Sequence, residues 1–137
     1  MNYTSYLDKS KVYAVVGASN DPKKFGSKIY ELFKKGGFEV YPVNPNREEI
    51  QGDKAYSSLS ELPKKPFLVS VITPPDVSQT IMHEAIKAQI ENIWFQPGAH
   101  DQWVSDSKGK INAIVGPCII TNGFNMLEST ESSETSE

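Results

Sequence analysis

Short β-rich runs and helix-patterned segments alternate along this chain from Lys11 to Val115, and that alternation leaves few architectures open. Lys11-Val-Tyr-Ala-Val-Val-Gly17 reads as a buried strand entering a tight turn. After a polar loop, Ile29, Leu32, Phe33 and Gly36 recur at helical spacing, and Gly36-Gly37 stops that helix. Phe38 to Val43 is a second strand, turned by Asn44-Pro45-Asn46. Gln51 to Tyr56 reads as a brief edge strand, followed by a short helix from Ser57 or Ser58 to about Leu62. Phe67 to Ile72 is the clearest strand. Asp76 then caps a helix whose apolar face is Val77, Ile81, Met82, Ala85 and Ala88. Asn92 to Phe95, a weaker helix from Asp101 to Lys108 and a last strand from Ile111 to Val115 complete the series. Successive β-α-β units need parallel strands, and their right-handed crossovers lay helices on both faces. The expected fold is α/β: a Rossmann-like, doubly wound sandwich with a mostly parallel sheet of five to six strands.

The 137 residues suffice for one domain with its own core. A single cysteine, Cys118, excludes an intramolecular disulfide and a cysteine-rich zinc site. The amino terminus has no apolar signal core, and no run approaches membrane-spanning length. A soluble, cytoplasmic protein with no membrane partner is expected. The formal charge of −3 conceals a division: residues 128–137, Glu-Ser-Thr-Glu-Ser-Ser-Glu-Thr-Ser-Glu, hold four of the 17 acids and no base. The expected organisation is a domain over 1–127 and a disordered acidic tail over 128–137. Without the tail, 13 acids face 14 bases, a balance that excludes a nucleic-acid partner held by phosphate contacts.

Ligands of open α/β sheets bind at the carboxyl ends of the strands. The loops expected there are Gly17 to Lys28, Asn44 to Arg47, Thr73 to Asp76 and Gln96 to Ala99. All contain Gly or Pro, which shape backbone and supply no reactive group. In the first, Gly17 permits a sharp turn and Gly26 lets ligand or strand approach the helix start. Free N–H groups and the helix dipole at that point favour a phosphate or pyrophosphate. Ser19 and Ser27 offer hydroxyls, and Lys24 or Lys28 a diffuse charge. The loop is neither Gly-x-Gly-x-x-Gly nor a Walker sequence. The second strand ends in Val43-Asn44-Pro45-Asn46-Arg47, without the acid that a nicotinamide-dinucleotide site uses on its ribose. Glu39 lies at the strand's other end. Arg47 suits a phosphorylated ribose better than a free diol.

Val16-Gly17-Ala18-Ser19 with Pro22 and Gly26, Tyr41-Pro42-Val43-Asn44-Pro45, Thr73-Pro74-Pro75 and Trp94-Phe95-Gln96-Pro97-Gly98 together resemble the small CoA-binding proteins. Those proteins share their fold with the amino-terminal CoA-binding domain of the succinyl-CoA synthetase α subunit. The resemblance runs from about Tyr6 to Thr121. It implies coenzyme A as cofactor, with Gly17, Ala18, Ser19 and Asn20 in the turn that holds its phosphates. Arg47 falls where the synthetase domain has a lysine, and would meet phosphate near the adenosine end. Thr73-Pro74-Pro75 would wall the nucleotide, and Phe95-Gln96-Pro97 would face it from the opposite side. The synthetase's second domain, with its phosphorylated histidine, is absent, so ligase activity does not transfer.

Other candidates are bland by comparison. His83 reads as a surface helix residue, whereas His100 lies close to the expected cleft. Neither has a metal or Ser-His-Asp partner spacing. Ser19 lacks the Gly-x-Ser-x-Gly elbow of a nucleophile. Cys118 reads as a small buried hydrophobe, or, if exposed, as a thiol able to pair with the CoA thiol. The expected function is binding of CoA or acyl-CoA without catalysis. The alternatives are an NADP- or acyl-CoA-dependent enzyme using His100 or Ser19, and an interaction module with a vestigial nucleotide site. A protein partner or a homo-oligomer is compatible with each of them.

Overall fold

The computed structural model describes residues 3–125, so the acidic tail expected over 128–137 lies outside the described residues. Strands β1 (Val12–Val16), β2 (Glu39–Val43), β5 (Leu68–Val71), β6 (Asn92–Phe95) and β7 (Asn112–Ile114) form one sheet in the order β2-β1-β5-β6-β7. Every pair in it is parallel. The chain winds from β1 outward to β2, then returns past β1 to build β5, β6 and β7 in the other direction. Right-handed crossovers therefore place α1 (Phe25–Lys35) on one face and α2 (Pro75–Lys87) on the other.

Alternation along β1 assigns the two faces. Tyr13 and Val15 join Ile29, Tyr30 and Phe33 of α1 in one core, to which Leu68, Trp94 and Phe124 also belong. Ala14 and Val16 point the other way, onto Met82 and Ala85 of α2 with Val69, Val71, Ile93 and Phe95. Strands buried on both faces read as near-continuous apolar runs, which is why β1, β5 and β6 stand out in the sequence despite Ser70 and Asn92. Tyr13 is fully buried, and burial pushes its hydroxyl up to about 12. That hydroxyl accepts from the Asp8 N–H and donates to the Tyr6 carbonyl, which satisfies it inside the core.

Three local expectations change. Gln51 to Tyr56 is not one strand: β3 (Glu49–Ile50) and β4 (Asp53–Lys54) pair antiparallel around a turn at Gln51 and Gly52, both left-handed. Tyr56 alone rejoins the sheet, bridging to Val43. Asp76 is not the cap of α2. The helix starts at Pro75, whose fixed φ suits a first turn and needs no N–H, and Pro74 is the cap residue without a side-chain bond. Starting there turns Ser78, Met82 and Ala85 inward and leaves Val77 44% exposed. Ser78 tolerates burial because its hydroxyl bonds the Thr73 carbonyl at 2.9 Å and the Thr73 hydroxyl at 2.7 Å. Cys118 is half-buried rather than buried. Trp94, wholly inside, donates from Nε1 to the Pro117 carbonyl and holds the loop just before it.

Candidate functional site

The sheet register brings the expected loops to one level. Val43, Val16, Val71 and Phe95 stand side by side across β2, β1, β5 and β6. The ladder continues one step beyond them, with Gly17 N donating to Val43 O, Ile72 N to Val16 O and Gln96 N to Val71 O. Gly17, Asn44, Ile72 and Gln96 therefore open four loops shoulder to shoulder, with the switch point between β1 and β5.

Backbone makes the central part of this surface. Gly17 has φ 95°, and a Cβ there would lie 2.7 Å from the Ile72 carbonyl oxygen. A Cβ on Gly26 would lie 2.1 Å from the Gly17 carbonyl oxygen. The first turn of α1 thus packs directly on the turn after β1. Its cap residue, Lys24, is extended and contributes no side-chain bond; its carbonyl accepts from Ser27 N at 3.2 Å, so the Phe25 and Gly26 N–H groups lie ahead of that first bond. Ala18 is buried, whereas Pro22, Lys24 and Lys28 are exposed around the loop.

Several of the side chains expected at the site have partners within the protein. Ser19 Oγ accepts from Asp21 N, and Asn20 joins the loop to the hairpin by donating to Glu49 O and accepting from Gln51 N. Ser27 is buried and receives the Gln51 amide. Asn44 Nδ2 donates to Ala18 O at 3.0 Å, bracing the loop after β2 against the loop after β1. Gln96 is fully buried, accepting from Ile119 N and donating to Ser70 Oγ. Phe95 is also buried, edge-on to Trp103. Each of these six side chains thus has a partner within the fold. Thr73 is half-buried; Pro45, Arg47, Pro74 and Pro97 are exposed, and Pro75 lies beside them at the start of α2. Arg47 borders a groove of about 640 Å³ that Pro45, Asn46, Lys54, Ser57 and Glu61 also line. Of the histidines, His83 is exposed, while His100 follows Ala99 on the loop after β6 with its Nδ1 buried and without a hydrogen-bond partner.

Gln51 was the residue the sequence concealed. Its only signal was the Gln-Gly pair, a turn cue inside an expected strand. The hairpin that carries it is tied to α1 through Asp53. Tyr30 Oη donates to Asp53 Oδ2 at 2.6 Å, and Lys34 Nζ pairs with the same oxygen at 2.8 Å. Lys34 and then Tyr30 hold the Asp53 carboxyl below its usual 3.8, while burial first and Asp53 second raise the Tyr30 hydroxyl. A lowered carboxyl contributes stability that is complete above its unfolded pKa and disappears as pH falls through the folded value. Asp53 is 45% exposed, so the contribution is small. Asp53→Asn should cost at most about 1 kcal/mol at pH 7. Urea titrations should show that deficit shrinking once the pH drops below 3.8; a deficit unchanged at low pH would mean the ion pair is not its source.

At the other end of β2, Tyr41 and then Lys64 hold Glu39 below the usual range, through bonds of 2.6 Å and 3.2 Å. The strand's acid is thus committed to partners far from the loops.

A family model described as "CoA binding domain" matches residues 11–123. Over 79 residues, 56% of this chain, the sequence is 43% identical to the α subunit of the ADP-forming acetate–CoA ligase II of Pyrococcus furiosus. The match spans 17% of that subunit's length. A conserved hypothetical protein of the same organism superposes with a TM-score of 0.76 at 39% identity, covering 81% of this chain and 97% of that one. The dinucleotide-forming acetyl-coenzyme A synthetase 1 of Ca. Korarchaeum cryptofilum, solved with phosphate and ADP, superposes with a TM-score of 0.70 at 28% identity. There, 85% of this chain is covered and 28% of the synthetase. Among the described residues, no helix is long and apolar enough to cross a membrane.

Proposed function

This chain belongs to the CoA-binding domain family, and we propose that it binds coenzyme A, or an acyl-CoA, across the carboxyl ends of β1, β2, β5 and β6. The observation that carries the reading is the junction of Gly17 and Gly26. There the start of α1, which has no side-chain cap, meets a turn that leaves no room for a side chain. Such a surface presents N–H donors and the positive end of a helix dipole, which suit the CoA pyrophosphate. Gly17, Ala18, Ser19 and Asn20 form the phosphate turn, with Pro22, Gly26, Ser27 and Lys28 shaping its return into α1. Asn44, Pro45 and Arg47 take the adenosine end beside the groove. Thr73, Pro74 and Pro75 wall one side, and Phe95, Gln96 and Pro97 the other. We assign this domain binding and no bond-making step, because these loops bring backbone and proline rather than general acids or bases.

Isothermal titration against CoA, dephospho-CoA, NAD and NADP tests this reading. CoA should bind tightest; either dinucleotide binding tighter would overturn it. Arg47 is exposed, so its contact with a phosphate would be worth less than a buried one. Arg47→Ala should weaken CoA about tenfold, about 1.4 kcal/mol. Dephospho-CoA, which lacks the 3′-phosphate, should lose much less. Equal losses for the two ligands would mean that Arg47 does not read that phosphate.

A further inference from the structure

Gln51 stands where glutamine is a poor choice for the backbone. The hairpin turns through Gln51 at φ 50° and Gly52 at φ 85°, between strands of two residues each. Two left-handed residues in a two-residue hairpin loop make a type I′ turn, whose first position is taken most readily by Asn, Asp or Gly. An Asn-Gly pair would form this hairpin with less strain.

The glutamine side chain does something an asparagine is too short to do: it leaves the hairpin and crosses to the loop after β1. Its Nε2 donates to Ser27 O at 3.0 Å and Ser27 Oγ at 3.1 Å, with Ser19 O further off at 3.4 Å. One amide therefore touches both ends of the phosphate turn, before Asn20 and after Gly26. The neighbouring bonds converge on the same seam. Gln51 N donates to Asn20 Oδ1 at 2.7 Å, Asn20 Nδ2 donates to Glu49 O at 2.9 Å, and Lys34 Nζ donates to Gln51 O at 3.1 Å. Backbone strain retained alongside an amide whose bonds reach both Ser19 and Ser27 points to a role in that loop.

We propose that Gln51 is a positioning residue. Its amide clips the turn after β1 to the first turn of α1, so that the N–H groups there are ordered before a ligand arrives. The clip rests on the hydrogen bonds alone, while its effect on affinity rests on the CoA reading above. Ordering a polar loop in advance removes part of the entropy cost of binding.

Gln51→Asn separates this role from a need of the hairpin itself, because it shortens the reach by one methylene and improves the turn. The urea midpoint should stay level or rise. Amide hydrogen exchange over residues 19–27 should speed at least tenfold, and CoA should bind about tenfold more weakly. Gln51→Glu keeps the length but cannot donate to the Ser27 and Ser19 carbonyls, and should lose affinity similarly. A fall in the Gln51→Asn urea midpoint would assign Gln51 to hairpin folding and overturn the proposal. So would unchanged exchange over 19–27, or faster exchange with the parent's CoA affinity. If the parent chain binds no CoA, the binding reading fails by itself, and exchange alone decides whether the clip exists.

Discussion

Gly26→Ala should be among the most damaging single-methyl additions in this protein. Alanine is the better helix former by about 1 kcal/mol, so an open helix site would gain from the change. Here the added carbon would sit 2.1 Å from the Gly17 carbonyl oxygen and 2.9 Å from its carbon, both backbone atoms with no rotamer to escape into. Helix α1 would have to withdraw from the turn after β1. That movement strains the contacts of Ile29, Tyr30 and Phe33, each buried to 1% exposure or less. Overpacking a dense core costs about 1–3 kcal/mol and sometimes more, and this overlap belongs at the upper end. A net loss of about 2 kcal/mol or more is expected in urea denaturation. CoA binding should become undetectable, because the first N–H groups of α1 move with the helix. A stable Gly26→Ala protein with the parent's CoA affinity would show that the α1 start does not serve the ligand.

Gly17→Val should remove binding with a different balance of causes. At φ 95° any side chain is strained, by about 1–3 kcal/mol, and a β-branched one most of all. The first added carbon would also meet the Ile72 carbonyl oxygen at 2.7 Å and the Ile72 Cγ2 methyl at 2.9 Å. The methyl can turn aside, but the carbonyl belongs to the chain leaving β5. The two loops at the switch point should be pushed apart, and CoA affinity should fall tenfold or more. Gly109→Val is the matching control. Gly109 is also left-handed, at φ 78°, but has no atom within 4 Å of the added carbon and lies before β7, at the opposite end of the sheet. It should lose comparable backbone stability and keep CoA binding. Circular dichroism on both variants separates unfolding from loss of the site. A folded Gly17→Val protein that binds CoA like the parent would rule out a phosphate seat at this turn.

Much of the architecture was legible because it follows from local chemistry. Near-continuous apolar runs such as Tyr13 to Val16 and Leu68 to Val71, broken only by Ser70, require cover on both faces, and their alternation with helical stripes requires parallel strands. The carboxyl ends of those strands then locate the candidate site, since the turn residues Gly17, Asn44 and Thr73 follow β1, β2 and β5 closely. The family likeness read from those turns agrees with the match over residues 11–123.

Finer assignments turned on which partner the folded chain supplies. Asp76 had the chemistry of a cap, but Pro75 already suited the first helical turn. The inward face of α2 then followed from that phase and from the Thr73 bonds that let Ser78 be buried. Asn20, Ser27, Asn44 and Gln96 carry polar groups that could equally serve a ligand or the fold. Their residue types do not distinguish the two, because a buried polar group takes whichever partner the packing brings within about 3 Å.

The sequence by itself determined the layer order, the end of the sheet that carries the loops and the two glycines at their centre, since periodicity and backbone permission are properties of neighbouring residues. Only the tertiary structure decided which polar side chains are bonded to one another within the fold. Gln51 is 24 residues from Ser27 and 32 from Ser19, and Gln96 is 26 from Ser70. Such pairings exist only after the sheet register has aligned the strands and the hairpin has folded back on α1.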